Sequence, residues 1–316
     1  MLRLSFIVPF YNVEPYIEEC IRSLYNQDIS QEEYEVICVD DCSLDGSRAI
    51  VERLQKEYPT LKLLIHTENK RQGGARNTGM KVAQGKYIWF IDSDDYIKPN
   101  SLKGMIELAE KENLDILKFY FDSNKNVKQN DLLRSTSITS GSHIIYDIQN
   151  DIPLLVRCCS ACQQLIRKEF LIEHSISFAE GVQYEDDDYA YQLYAYAERA
   201  YLIASAPYMV RQTPNSTTRR QNDIRRIRDI YAQAIRMQEL DAKLSNIDER
   251  WHIMINKCID DSINNCVLPM LKCCSFSEQL LFLQIDRKQA WKLKPYLSRK
   301  SYVKLSSYIM WKLLQK

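Results

Sequence analysis

Glycine is scarce in this chain, with only 8 among 316 residues. None follows the first β-type run, "LSFIVPF" (4–10), where the chain continues "YNVEPY". A dinucleotide-binding Gly-x-Gly-x-x-Gly turn needs glycine there for close approach of backbone to pyrophosphate, so a dehydrogenase is excluded. Gly-x4-Gly-Lys-Ser/Thr is also absent, which excludes a P-loop machine. Net charge is absent as well: Lys plus Arg and Asp plus Glu are 42 each, so nothing global suggests nucleic acid. No apolar stretch approaches the roughly 20 residues of a membrane span. The opening "MLRLSFIVPFYN" is too short a run for a signal peptide and is interrupted by Pro9. The expectation is a cytosolic chain with its ten cysteines reduced. Cys159-x-x-Cys162, with Cys158 beside it and Cys273-Cys274 far downstream, has no spaced second pair to complete a zinc site; buried thiols are the favoured reading.

Acids are missing after Asp286, where Arg287, Lys288, Lys292, Lys294, Arg299, Lys300, Lys304, Lys312 and Lys316 follow. Glycine is missing beyond about 220, and Pro269 and Pro295 are the only prolines there. That tail reads as helical to its end.

What is present in the first 120 residues is an alternation of two hydrophobic periods. Strands are expected at 4–10, 34–40, 61–66, 86–92 and 114–121. Helices are expected at 14–27, with Pro15 in its first turn, at 45–58, capped by Asp45, at 73–85, closed by Gly85 as a left-handed cap, and at 99–113. Strands alternating with helices imply right-handed β-α-β units and a mainly parallel sheet covered on both faces. Residues 122–150 read as a loop or insertion. From 151 to 215 helices such as 184–200 mix with short strands in 201–212.

Four polar clusters come just after strands: Pro9 to Asn12, Asp40-Asp41, His66 to Arg76, and Asp92 to Asp95. Strand ends of one parallel sheet share an edge, so these clusters converge, at the edge where such sheets bind ligands. Any one aspartate after a strand also serves as a turn or helix cap. Asp92 and Asp94 alternate along an extended segment and approach one point, with Ser93 turned away. Close carboxylates raise one another's pKa, and a cation relieves them. All-oxygen ligands suit Mg²⁺ or Mn²⁺, usually completed by substrate phosphates. Lys70, Arg71 and Arg76 are cations for those phosphates.

"SFIVPFYNVEPYIEECIRSLYNQ", "EVICVDDCSLDGS", "ENKRQGGARNTGM" and "GKYIWFIDSDDYI", in that order and spacing, resemble the inverting glycosyltransferases of family two. The resemblance implies an α/β GT-A fold of the nucleotide-diphospho-sugar transferases, at 1–215. Residues 1–120 would form the nucleotide-sugar half and 121–215 the acceptor side, with a helical region at 216–316 that is basic at its end. It implies transfer from a nucleotide-diphosphate sugar, with Mn²⁺ or Mg²⁺, to a glycan or lipid-linked hydroxyl in surface polysaccharide assembly. Pro9 and Tyr11 would line the base, and Asp41, with Asp40 beside it, would bond it. Asn69 and Arg76 would lie along the nucleotide-sugar, and Ser93 is kept with that set. Asp92 would face ribose or metal water, and Asp94 would ligate the metal.

Inversion needs in-line attack by an acceptor hydroxyl that loses its proton. "GVQYEDDDYAYQLY" resembles the family's Glu-Asp element, which implies Asp186 as base and Glu185 as its neighbour. Acids opening a helix also complement its dipole, and Asp187 and Asp188 blur the alignment. In "YMVRQTPNSTTRR", Arg211 is implied near the leaving diphosphate, with Ser216 or Thr217 as further candidates. The chain departs from the family at "CSACQQLIRKEF", where Gln163-Gln164 stands in place of the usual basic residue. The tail at 287–316 interleaves Trp291, Tyr296, Tyr302, Tyr308 and Trp311 with cations, which suits an anionic membrane surface or packing against the catalytic domain. A catalytically inactive nucleotide-sugar-binding protein and a sugar-nucleotidyltransferase are the alternatives; the latter lacks its Gly-rich, Arg-containing loop here.

Overall fold

The computed structural model describes residues 2–123, 160–203, 205–213, 224–244, 249–267 and 269–270. The chain divides into two compact units, residues 1–181 with 196–214, and residues 182–195 with 215–316.

In the first unit the expected alternation forms. β1 (Leu4–Phe10) is buried along its whole length, as is β2 (Tyr34–Asp40). Largely apolar runs suit strands covered on both faces, and the buried Glu35 is paired with Ser5 and Lys62. α1 (Ile17–Tyr25) buries Ile17, Cys20, Ile21, Leu24 and Tyr25, one stripe at helical spacing. It starts later than expected: Pro15 lies in the turn before it, where Tyr16 and Ile17 N–H donate to the Val13 carbonyl. α2 (Ser47–Leu54) begins after Asp45, whose carboxylate accepts from the Ser47 N–H and hydroxyl. β3 (Leu61–Ile65), α3 (Arg71–Val82), β4 (Tyr87–Phe90), β5 (Tyr96–Ile97), α4 (Leu102–Lys111), β6 (Ile116–Lys118) and β7 (Phe121–Ser123) follow. Then come β8 (Gln164–Arg167), α5 (Lys168–Glu173), β9 (Ala200–Leu202) and β10 (Tyr208–Val210).

Seven strands form one sheet in the order β3-β2-β1-β4-β8-β6-β9, and β5-β10-β7 form a small second sheet. β3, β2, β1 and β4 are parallel; β8 runs antiparallel to both β4 and β6. The strand order reverses at β1, with β2 on one side and β4 on the other. That is the switch point at which the carboxyl ends of open α/β sheets bind ligands.

Several expectations need correction. β8 was not anticipated, because "QLIR" is short and lacks a period. The run 114–121 is two strands, β6 and β7, belonging to different sheets. Gly85 is not a left-handed cap. Its backbone is not among the positive-φ residues, and α3 closes at Ala83. Gly85 is instead required by contact: a Cβ there would sit 2.4 Å from Leu4 C and Ser5 N. The Phe6 and Trp89 rings meet at 5.6 Å and Trp89 and Phe119 at 4.9 Å, which locks β1, β4 and the end of β6 into one core.

The second unit contains α6 (Asp186–Tyr196, up to residue 195), α7 (Ile224–Lys243), α8 (Glu249–Asp261) and a π-helical turn at Ser262–Val267. Tyr191 of α6 meets Trp251 of α8 edge-on at 6.2 Å between ring centres. Among the described residues no helix is long and apolar enough to cross a membrane. The expected insertion from 124 on, Cys159, Ser216 and Thr217, and the basic tail at 287–316 lie outside the described residues.

Candidate active site

Four loops leave the carboxyl edge of β1, β2, β3 and β4, and their side chains interlock. After β1, Pro9 is buried in the strand and Tyr11 is about half exposed beyond it. Asn12, at φ 52°, turns its side-chain oxygen onto the Leu44 N–H at 2.8 Å, and its own N–H onto the Ser43 hydroxyl. The β1 and β2 loops are therefore one assembly.

The paired aspartates after β2 separate in role. Asp40 is fully buried, with one oxygen accepting from the Ser43 N–H at 2.8 Å and the other from Arg48 at 2.6 Å. Both oxygens are engaged and the side chain is fully buried, so Asp40 shapes the turn. Asp41 is held only by Oδ1, which meets His66 Nδ1 at 2.7 Å and the Lys70 N–H at 2.8 Å. Its Oδ2 has no partner among the described residues, so it is the oxygen available to a bound group. Asn69 supports the same loop, donating to the Asp41 carbonyl at 2.9 Å. His66 was expected at this edge but not as the partner of Asp41; its other ring nitrogen meets the Thr78 hydroxyl at 2.9 Å, which carries the Asp41 contact onto α3.

After β4 the chain turns sooner than expected. The strand ends at Phe90, and the Asp95 N–H donates back to the Asp92 carbonyl at 3.0 Å, so 92–95 is a turn and not an extended segment. The alternation survives: Ser93 and Asp95 are buried, Asp92 and Asp94 half-buried. Asp92 Oδ1 accepts from Gln72 at 2.5 Å and Arg76 at 2.9 Å. Arg76 is 1% exposed and lies over the Phe178 ring at 5.1 Å. Its Nη2 donates to Asp92, which helps to fix that carboxylate. Asn77, one residue on, bonds both the carbonyl and N–H of Phe178 and so holds that ring in place.

Asp94 is less compensated. Among the described side chains its carboxylate accepts a long 3.4 Å contact from the Thr213 hydroxyl, with the Arg211 charge nearby. Burial, and then the Asp92 charge, raise its pKa from the usual carboxylate value. Asp95 is held on both oxygens, by the Tyr208 hydroxyl at 2.8 Å and the Arg211 N–H at 2.7 Å. Burial, reinforced by Asp92, pushes its carboxyl up to about 7. Tyr208 also accepts from the Asp92 N–H at 3.1 Å, which bolts β10 to the turn. Arg211 follows: its Nε donates to the Asp94 carbonyl at 2.9 Å, Nη2 lies 2.7 Å from Glu19, and the guanidinium stacks near Tyr16 and Tyr96. Sequence reading missed Gln72, Tyr208 and Thr213, since their partners are 20, 116 and 119 residues away.

Among the described residues no three His, Cys, Asp or Glu side chains converge as a metal cage. The donor set still fits a hard divalent ion that takes one or two carboxylates and completes its shell from substrate oxygens. Asp94 is under-compensated and Asp92 keeps one oxygen free of partners among the described residues, which is the charge such an ion neutralises.

In the second unit the acids Asp186, Asp187 and Asp188 open α6, where the helix dipole favours negative charge. Glu185 and Asp188 are buried, and Asp186 is half-buried. Asp188 faces Arg236, which opposes the upward push of burial on its pKa without cancelling it.

A sheet reversing at β1, with carboxylates and an arginine at its carboxyl edge, agrees with the GT-A fold that the four motifs implied. The profile of glycosyl transferase family 2 matches residues 5–175, and the chain belongs to that family. In sequence the chain is 45% identical over 114 residues to a Bacillus subtilis protein described as uncharacterized glycosyltransferase EpsJ, covering 36% of this chain and 32% of EpsJ. It is 40% identical over 116 residues to the poly(ribitol-phosphate) beta-glucosyltransferase of Bacillus spizizenii, covering 36% of this chain and 18% of that protein. The chain thus matches under a third of the length of these curated relatives. In structure it resembles S. aureus TarS 1–349 in complex with UDP-GlcNAc, with a TM-score of 0.73 and 22% identity over 98% of this chain and 88% of that one. A mannosyltransferase from Pyrobaculum calidifontis, solved with GDP-Man and Mn2+, has a TM-score of 0.54 at 17% identity, covering 99% of this chain and 86% of that one. These structural likenesses show the fold.

Proposed function

We propose that the chain is an inverting glycosyltransferase that moves a sugar from a UDP-sugar to a hydroxyl of a glycan or lipid-linked acceptor in cell-surface polymer assembly. The observation that carries this reading is the turn after β4. Asp94 stands there largely buried and only partly compensated, beside an Asp92 held by Gln72 and Arg76, at the switch point of the sheet. The named activities of the poly(ribitol-phosphate) relatives and the UDP-GlcNAc in the TarS structure support the donor and the polymer class.

Asp94, with Asp92, would hold Mn²⁺ or Mg²⁺, which when bound supplies a Lewis acid for the charge that grows on the departing diphosphate. Asp41 Oδ2 would accept from the base, against which Tyr11 and Pro9 would pack. Asn69 and Asp40 keep that loop in shape, and Ser93, buried in the turn, keeps the two acids on one side. Arg211 would leave Glu19 for the diphosphate oxygens. The acceptor hydroxyl oxygen would bond to the anomeric carbon as the carbon–diphosphate bond breaks on the opposite face, and its proton would pass to Asp186, with Glu185 beside it. The basic segment 287–316 would rest on an anionic membrane face, where lipid-linked acceptors reside.

The test is release of nucleoside diphosphate from a panel of UDP-, GDP- and TDP-sugars with acceptor mixtures, with and without Mn²⁺. Wild type should release UDP only with the ion, and Asp94→Asn and Asp186→Asn should each lose transfer by about 10²-fold or more. Unchanged transfer by Asp186→Asn removes that residue as base. No release with any donor removes the catalytic reading and leaves a nucleotide-sugar-binding protein.

A further inference from the structure

α7 lies outside every motif used above, yet it touches the acidic element at the start of α6 at four points. Arg236 Nη2 donates to the Tyr184 carbonyl at 3.1 Å. The same nitrogen donates to Asp188 Oδ1 at 3.2 Å, and Arg236 Nε to Asp188 Oδ2 at 3.3 Å. Gln233, one helical turn earlier, donates to Asp187 Oδ2. Gln233 and Asp188 are 3% and 6% exposed, so these contacts are made out of water, where an unmade one is costly.

The spacing gives the contacts their meaning. Arg236 grips the chain two residues before Asp186 and two residues after it. Tyr184, at φ 60°, holds a left-handed conformation that is unfavourable for a bulky residue. A carbonyl fixed in that conformation sets the direction in which the next two residues leave. Asp187 and Asp188, the two acids that follow Asp186, are each bound by one side chain of α7. α8 braces the same helix from Tyr191, whose hydroxyl donates to the Met254 carbonyl at 3.4 Å.

We infer that Arg236 and Gln233 are positioning residues for the acceptor-side acid motif, so that the C-terminal helical region sets the aim of Asp186. This rests on the reading of Asp186 as the base. A base displaced by about 1 Å can cost on the order of 10²-fold in rate with little effect on ground-state binding. Lysine at 236 keeps the charge facing Asp188 but cannot span Tyr184 and both carboxylate oxygens with one planar fork.

The experiment compares wild type, Arg236→Ala, Arg236→Lys, Asp186→Asn and the Arg236→Ala/Asp186→Asn double variant, as full chains. Amide hydrogen exchange at 184–188 should rise about tenfold or more in Arg236→Ala while amides of β1 and β2 keep wild-type protection. In transfer assays kcat should fall by 10- to 100-fold with donor KM within about twofold, and Arg236→Lys should recover part of it. In the Asp186→Asn background the Arg236→Ala change should cost nothing further, because its effect passes through Asp186. Unchanged exchange at 184–188, or a full additional loss in the double variant, overturns the inference. If Arg236→Ala does not fold, Arg236→Lys carries the same exchange and kcat comparison. Normal transfer by Asp186→Asn with raised exchange in Arg236→Ala overturns the base assignment and with it the aim inferred for Arg236. The exchange result is read without turnover, so a wild type that transfers nothing still leaves the packing by α7 supported or refuted by that measurement.

Discussion

Asp95 offers the sharpest physical test of how the turn after β4 is built. It is 6% exposed, and burial first, then the Asp92 charge, raise its carboxyl to about 7 from an ordinary 3.8. The folded state therefore holds a proton that the unfolded chain has already released. A group of this kind contributes stability that is fully present below about pH 3.8 and is lost as pH rises through about 7. Three pH units at about 1.4 kcal/mol each put the whole effect near 4 kcal/mol, of which roughly 2–3 kcal/mol falls between about pH 5 and pH 7.5. Asp95→Asn keeps an oxygen for the Arg211 N–H and cannot ionise; its amide changes the Tyr208 contact by an amount that does not vary over this range. The assay is urea unfolding followed by tryptophan fluorescence, without divalent ions, at pH values across that window. Wild type should lose stability with rising pH by about 2–3 kcal/mol more than Asp95→Asn. Equal pH slopes in the two proteins would refute the assignment of a retained proton to Asp95.

Three further substitutions probe the frame around the site. Gly79→Ala places a Cβ 2.5 Å from Ile7 Cγ2, pressing α3 off β1, and should cost about 1–3 kcal/mol in urea unfolding. Gly104→Ala, in the exposed early turn of α4 with nothing within 4 Å of the added carbon, should instead stabilise by about 0.5–1 kcal/mol in the same assay. Tyr208→Phe strips the hydroxyl that joins Asp95 to the Asp92 N–H. It should cost about 1–3 kcal/mol and weaken Mn²⁺-dependent UDP binding, measured by calorimetry.

The first half of the fold was legible in sequence because its signals are local. β1 and β2 form over the residues that their apolar runs mark, and α1 and α4 bury the residues at helical spacing. The order of strands and helices then dictated right-handed crossovers, a parallel sheet and one shared edge for the four polar clusters. From residue types alone a hard cation at Asp92 and Asp94 is an expectation, carried forward in the proposed function, because oxygen donors without His or Cys suit such an ion. The resemblance of four motifs in order named the family, and the profile match over residues 5–175 agrees.

What remained hidden depends on partners far apart in the chain. Nothing in "VDD" says that Asp40 is consumed by Ser43 and Arg48 while Asp41 keeps an oxygen open, since that difference comes from how the loop closes. Asp95 reads as a turn cap until β10 brings Tyr208 and Arg211 onto it across 113 and 116 residues. Gly85 reads as a helix cap until β1 is laid against it. "EDDD" carries three equivalent aspartates as text; packing by Gln233 and Arg236 against Asp187 and Asp188 makes them unlike one another. Sequence by itself determined which chemistry gathers at the edge of the sheet, because periodicity and residue type act over a few neighbours. Only the tertiary structure decided which oxygens of Asp40, Asp41, Asp92 and Asp95 are already bonded, because a hydrogen bond is a property of two residues that the chain must first bring together.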